Sequence, residues 1–201
     1  MGIDNSIQQL LKNILREHDI DVELDEEHGG LIVSSYFGSI EQFCDEISRL
    51  DRVTSIDIVN SDITNDGCLL ALNHPKLRRL RFEQNERVSN VISCSCRCKE
   101  LVEVDIAATP VKYELALLAN LPQLKKLTLC VCGLGRDDLM RLKECKTLRE
   151  INLAQNPLTS GLRFLAGCKG LCCLDLSYTQ LDETGIEELL VFPGLRYLDL
   201  S

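Results

Sequence analysis

The sequence predicts an α/β solenoid, with a parallel sheet on the concave face of a curved stack and helices on its convex face. Three observations predict it. The apolar triplets Val53/Ile56/Ile58, Leu77/Leu80/Phe82, Leu101/Val104/Ile106, Leu124/Leu127/Leu129, Leu148/Ile151/Leu153, Leu171/Leu174/Leu176 and Leu195/Leu198/Leu200 recur, their first residues 24, 24, 23, 24, 23 and 24 apart. A fixed period in this range is the signature of a stacked array. Eight residues after each first position stands a small polar group or thiol: Ser61, Asn85, Thr109, Cys132, Asn156 or Thr179. Finally, the composition is 45% hydrophobic but only 4% aromatic, with no Trp, so aliphatic side chains must fill the interior.

The elements follow in order. Ile7, Leu10, Leu11 and Ile14 have i, i+3, i+4, i+7 spacing, and Ser6 with Gln9 has capping-box spacing, which predicts an amphipathic helix over about residues 6 to 17. Ile20, Val22 and Leu24 alternate with acids, the pattern of a short edge strand. A degenerate unit then places Leu31 and Val33 on a strand and Ile40, Phe43, Ile47 and Leu50 on a helix. Residues 1–28 are read as an acidic cap and 29–201 as the array, its last repeat incomplete. A solenoid needs such a cap because its first unit otherwise exposes half of its core.

Within each unit the first half alternates at period two, as a strand with one buried face does, and the second half has helical spacing, as in Leu139/Leu142 and Ile186/Leu189/Leu190. Neither half can bury its apolar side alone, so the units must stack. Strands pack about 4.8 Å apart and helices roughly 8–10 Å, which puts the sheet on the inside of the curve. The chain turns apolar again at Ile63, Val111, Leu134, Leu158 and Leu181, completing L-x-x-L-x-L-x-x-(N/C/T)-x-L. This unit resembles the leucine-rich repeat, and the resemblance covers residues 53–201. The unit from Leu77 departs from it, with Arg87 in the last apolar slot and Val88 one residue late, which predicts a local irregularity. Cys98, Cys145 and Cys168 precede the next unit as C-x-x-L, and Pro75, Pro122 and Pro193 stand where the helices must stop. The cysteine spacing resembles the cysteine-containing and ribonuclease-inhibitor-like subclasses.

Eleven cysteines without a secretory signal fit reduced thiols in a cytoplasmic compartment, the nucleus not excluded, better than a disulfide framework. Cys94, Cys96 and Cys98 invite a metal reading but lack the second ligand pair that structural zinc requires. A small-hydrophobe role in the core is the expectation, with no cofactor. No apolar run approaches the roughly 18 residues that cross a bilayer. Met1 to Ser6 fits M-G-x-x-x-[ST], making Gly2 a candidate myristoylation site, although no second membrane signal lies nearby. No phosphate-loop, dinucleotide, zincin or nucleophile-elbow motif is present, and His18, His28 and His74 nominate no nucleophile–base pair. A non-enzymatic role is expected.

The second, third, fifth, seventh and eighth residues of each unit are assigned to the concave surface. Its bases are Arg78, Arg79, Arg81, Lys125, Lys126, Arg149 and Arg196; its acids are Asp57, Glu83, Glu103, Asp105, Glu150, Asp175 and Asp199. Seven against seven is neutral, which argues against nucleic acid, since phosphate binding is dominated by unmatched Lys and Arg. Arg78, Arg79 and Arg81 are candidates to grip an acidic element of a protein partner. Ala107, Ala108, Cys130, Val131, Ala154 and Tyr178, with Gln84 and Gln155 alongside, form either a protein-binding patch or an area covered by another part of the chain, and Tyr197 stands in the third-position column. The partner-binding candidates are therefore Arg78, Arg79, Arg81, Ala108, Val131, Gln155, Tyr178 and Tyr197. The leading function is a scaffold binding a polypeptide on its concave face. The alternatives are an assembly subunit docking, or self-associating, through its N-terminal helix and open C-terminal end, and a lipid-anchored adaptor. The net charge of −9 lies in the front: residues 1–52 hold 12 acids and 4 bases, residues 53–201 hold 19 and 18.

Overall fold

The computed structural model describes residues 5–28 and 30–201; Gly2 lies outside the described residues, as do the side chains of Ser6 and Ile7. Helix α1 (Asn5–Arg16) leads into β1 (Ile20–Asp25), which pairs antiparallel with β2 (Gly30–Tyr36). Then come β3 (Val53–Val59), β4 (Arg79–Glu83), β5 (Glu103–Asp105), β6 (Lys126–Thr128), β7 (Glu150–Asn152), β8 (Cys173–Asp175) and β9 (Tyr197–Asp199). From β2 onward every strand is parallel to the one before, and the sheet order is the chain order. Ile56, Leu80, Val104, Leu127, Ile151, Leu174 and Leu198 are successive register partners, so the fourth position of every unit lies in one row. Six of these seven are buried, Leu198 being exposed, and together with the first- and sixth-position rows they make one continuous core.

Register also sets where the first unit starts. Val33 pairs with Ile56, after a shift between Leu31 and Ile32, so the first position of the β2 unit is Gly30. A Cβ there would lie 2.3 Å from the Arg52 carbonyl, which excludes any larger residue. The predicted apolar residues of this unit, Leu31, Val33, Ile40, Phe43, Ile47 and Leu50, are all buried.

The return limbs are shorter than the predicted helices. They comprise α2 (Cys44–Ser48), α3 (Asn65–Ala71), α4 (Val91–Ser95), α5 (Arg136–Leu139) and α6 (Glu183–Glu187), with 3-10 turns over Glu41–Phe43, Lys112–Asn120, Met140–Leu142, Leu162–Leu165 and Glu188–Val191. A period of 23 or 24 leaves few residues to run back along the strand. The 3-10 conformation rises about 2.0 Å per residue against 1.5 Å for an α-helix, so it spans that distance with a shorter segment.

Some predicted apolar faces are rotated. Among the described side chains of α1, Leu11 and Leu15 are buried while Leu10 is 58% exposed, because α1 rests on β1 through one narrow stripe. Gln8 ties α1 to the segment between α2 and β3, donating to the Arg49 carbonyl at 3.0 Å and accepting from the Asp51 amide at 2.9 Å. Leu24 is 66% exposed at the end of β1, and Asp25 beside it is buried. Ile186 and Leu190 are exposed as well, since the last return limb packs on one neighbour, Leu162–Leu165, and buries Gly185, Glu188 and Phe192 instead. The predicted irregularity is present: Val88 is buried and Arg87 is exposed, donating to the Asp62 carbonyl at 3.2 Å.

Gly185 sits in α6 where a Cβ would approach the Thr159 carbonyl oxygen to 2.3 Å and Leu181 Cδ2 to 2.9 Å. Alanine normally stabilises a helix interior by roughly 0.5–1 kcal/mol over glycine. Here backbone must move, so Gly185→Ala is expected to destabilise by about 2 kcal/mol, measured as a fall in urea midpoint at constant slope. An unchanged or raised midpoint shows that the contact yields freely.

Candidate functional site

Two backbone ladders build the inner face. The first is closed by the small polar column. Asn85 is fully buried; its amide donates to the Ile58 carbonyl of the preceding unit at 2.8 Å, while its oxygen accepts from the Ser61 amide at 3.0 Å. Asn156 repeats this on the Leu129 carbonyl at 2.8 Å and the Cys132 and Leu134 amides at 3.1 and 2.9 Å. Thr109 reaches the Phe82 carbonyl at 2.8 Å, and the Cys132 thiol reaches the Ile106 carbonyl at 3.3 Å. The column is conserved in chemistry because each turn leaves a buried carbonyl that needs a donor.

The second ladder fixes the eighth residue of each unit. Asn60, Gln84, Ala108, Val131, Gln155 and Tyr178 all have φ between 47° and 58°, the left-handed region, although none is glycine. Their amides donate across the stack to the carbonyls of Glu83, Ala107, Cys130, Ala154, Ser177 and Ser201. That bond holds a conformation which, for a β-branched residue such as Val131, is unfavourable alone. Because the geometry recurs in every unit it belongs to the repeat itself, and its effect is to turn the eighth side chain outward. Four of the predicted binding residues, Ala108, Val131, Gln155 and Tyr178, lie in this row along the rim. Tyr178 is 73% and Val131 48% exposed, Gln155 is exposed and Ala108 is half-buried. Phe37, which no repeat pattern singled out, begins the same row with φ 57° and 75% exposure. The register of its unit was hidden because Gly30 stands where other units have an apolar first residue.

The apolar patch is smaller than expected. Ala107 and Ala154 are buried and Cys130 is half-buried.

Part of the charged surface is internally matched. Arg79 Nε lies 3.7 Å from Glu103, Lys126 Nζ 3.1 Å from the same carboxylate, and Arg81 2.6 Å from Glu83. Burial pushes the Asp105 carboxyl up, against the hydrogen bond it accepts from the Ala107 amide. Arg78 and Arg79 line one cavity, of which Arg81 is not part. Arg78 precedes β4, with Nη1 3.9 Å from Glu100, and lines two adjoining cavities of about 340 and 360 Å³ together with His28 and Thr54. There the structure brings together a group that the sequence did not suggest: buried Asp25 accepts from Thr54 Oγ1 at 2.5 Å, from the His28 amide at 3.0 Å and contacts His28 Nδ1 at 3.0 Å. Burial raises the Asp25 carboxyl, but these hydrogen bonds outweigh it and leave the pKa below its usual value. The cluster closes the β1–β2 hairpin onto β3. A third cavity, about 290 Å³, opens on the inner face over β6–β9 and is lined by Lys126, Thr128, Glu150, Asn152, Cys173, Asp175 and Tyr197. Tyr197 is exposed, with its hydroxyl 3.3 Å from Asp199.

All eleven cysteines are free thiols. Cys98, Cys145 and Cys168 are buried at equivalent positions, and burial pushes them up to about 11, 12 and 11. Cys94, Cys96 and Cys98 do not converge: Cys96 donates to the Leu117 carbonyl, Cys98 donates to that of Leu72, and Cys94 is a buried free thiol. Among the described residues no group of three His, Cys, Asp or Glu is placed to hold a metal ion.

No protein-family model matches the chain, and no curated protein matches its sequence. Solved structures do. Internalin C2 from Listeria monocytogenes superposes with a TM-score of 0.62 at 14% identity, covering 85% of this chain and 80% of that one. A second internalin of that organism, inlF, aligns at 14% identity over 78% of this chain and 57% of its own, with a TM-score of 0.47. The first likeness supports a leucine-rich-repeat stack without supporting the ribonuclease-inhibitor-like subclass. Taken with nine strands hydrogen-bonded in chain order and return limbs behind them, it shows the fold to be an α/β leucine-rich-repeat solenoid.

Proposed function

We propose that this chain is a non-enzymatic protein-interaction scaffold whose inner face binds a polypeptide partner. The observation that carries the reading is the in-register inner surface. It presents one side chain per strand at a pitch of about 4.8 Å around the open cavity over β6–β9. Glu150, Asn152, Asp175 and Tyr197 offer donors, acceptors and one aromatic face there, and Val131 and Tyr178 supply apolar area at the rim. A rigid mixed surface of this kind suits a polypeptide, with tyrosines as anchors. Matched ion pairs favour protein over nucleic acid, because Arg79 and Lys126 already share Glu103. Buried unpaired thiols favour a reducing compartment, the cytoplasm or nucleus.

The test is cross-linking of the tagged chain in cells followed by measured binding of the recovered partner. The double variant Tyr178→Asp/Tyr197→Asp is expected to weaken binding roughly 30-fold, the effect of losing about 2 kcal/mol at a hot spot, with an unchanged unfolding midpoint. Undiminished binding defeats the reading. A second reading, docking through the ends, is favoured by the exposure of Leu10 on α1 and Leu190 on the last return limb. It predicts that Leu10→Asp/Leu190→Asp removes the partner while the tyrosine variant keeps it.

A further inference from the structure

In a regular strand successive amides point to opposite sides and so do successive side chains. The entry to β8 breaks this rule: the amides of Cys172 and Cys173 both donate to the Arg149 carbonyl, at 2.8 and 3.1 Å. Two residues thus oppose one, the geometry of a bulge, and their side chains leave on the same side. The feature repeats, with Val102/Glu103, Lys125/Lys126, Arg149/Glu150 and Arg196/Tyr197 each sharing one carbonyl of the preceding unit. Only β8 has cysteine at both places. Their sulfurs lie 3.9 Å apart, and both thiols are half-buried rather than sealed.

We propose that Cys172 and Cys173 form a vicinal dithiol site on the inner face that captures trivalent arsenicals, soft electrophiles that require two sulfurs and no third protein ligand. The separation fits a bridge. A pyramidal arsenic(III) centre with bonds of about 2.3 Å, the metal–thiolate length, and angles somewhat below tetrahedral spans about 3.5 Å between sulfurs, so a shift of a few tenths of an ångström closes the bridge. A direct disulfide needs the sulfurs about 2.05 Å apart, a much larger rearrangement within one dipeptide. A structural zinc ion wants four ligands, and among the described residues no third His, Cys, Asp or Glu converges here. A mono-organic arsenic(III) centre is satisfied by two.

The reaction balances without an oxidant. A hydrated arsenical, R–As(OH)2, loses two As–O bonds and gains two As–S bonds; each thiol proton departs with a hydroxide as water, and arsenic stays trivalent. Burial, and the hydrogen bond to Cys172, push the Cys173 thiol up. The condensation consumes thiols, so the raised value does not oppose it. The other close thiols are placed differently. Cys68 and Cys94 are buried, and Cys132 points inward to the Ile106 carbonyl.

The experiment treats the folded chain with one equivalent of phenylarsine oxide and reads intact mass and peptide maps. One phenylarsine bridge on Cys172–Cys173 is expected, stable to excess glutathione and removed by dithiothreitol. Cys172→Ser and Cys173→Ser are each expected to weaken capture at least about 100-fold, the loss of the second, intramolecular bond. Cys172→Ala and Cys173→Ala serve in their place if a serine lowers the unfolding midpoint. No adduct, an adduct retained by the double variant, or one mapped to Cys94, Cys96, Cys98, Cys130 or Cys132 overturns the proposal.

Discussion

Asn156→Ala is expected to cost roughly 3–5 kcal/mol, the largest loss of any single polar substitution in the array. The side chain is buried and its two ends do different work. The amide donates to the carbonyls of Leu129 and Leu153 at 2.8 Å and of Ala154 at 3.2 Å. The oxygen accepts from the amides of Cys132 and Leu134. Alanine leaves several backbone groups without partners, and each buried unpaired group costs about 1–3 kcal/mol. Those groups belong to two adjacent units, so the defect breaks the nearest-neighbour coupling on which a solenoid's stability rests. Urea unfolding followed by circular dichroism measures it, with Thr179→Val as the comparison. Thr179 is half-buried and bonds within its own unit, to the Leu176 carbonyl at 2.6 Å, so its loss is expected near 1 kcal/mol. A loss for Asn156→Ala no larger than that of Thr179→Val contradicts the ladder argument.

Stability is expected to fall by about 3 kcal/mol as pH drops from 6.5 to 4, through His74 alone. His74 is buried beside Pro75, its Nε2 has no hydrogen-bond partner, and burial lowers its pKa from 6.5 to about 4 against the opposing contact with the Ile47 backbone. The folded state therefore holds the ring neutral over a range in which the unfolded chain binds a proton. Stability is fully present above pH 6.5 and is lost as pH falls toward the folded value of about 4. The lowered carboxyls of Asp25 and Glu188 act in the same direction but further down, below the ordinary carboxylate range. Denaturant midpoints across the window should slope for the native chain and flatten for His74→Gln; equal slopes exclude His74 as the source.

Much of the array is written in the period. Every first-position residue from Val53 to Leu171 is buried, and so are all sixth-position residues from Ile58 to Leu176. The C-x-x-L cysteines are buried thiols, as their small apolar character predicts. The candidate site was legible only in part. Tyr178, Val131 and Gln155 were found by column position, yet the reason they face outward is a left-handed turn that sequence could not show, because that conformation usually announces itself through glycine. Phe37 was missed for the complementary reason, its unit starting at a glycine that carries no repeat signal. The Asp25–His28–Thr54 group joins residues of β1, its turn and β3, and no local spacing encodes such a meeting.

By itself, then, the sequence determined the solenoid, its strands and its core, because those depend on period and polarity, which are local and repeated in every unit. Tertiary structure alone decided which of the assigned inner-face side chains stay exposed, how Arg79 and Lys126 share Glu103, and that the Cys172 and Cys173 sulfurs lie 3.9 Å apart. These depend on carbonyls and carboxylates supplied by neighbouring units, whose register is set only when the units stack.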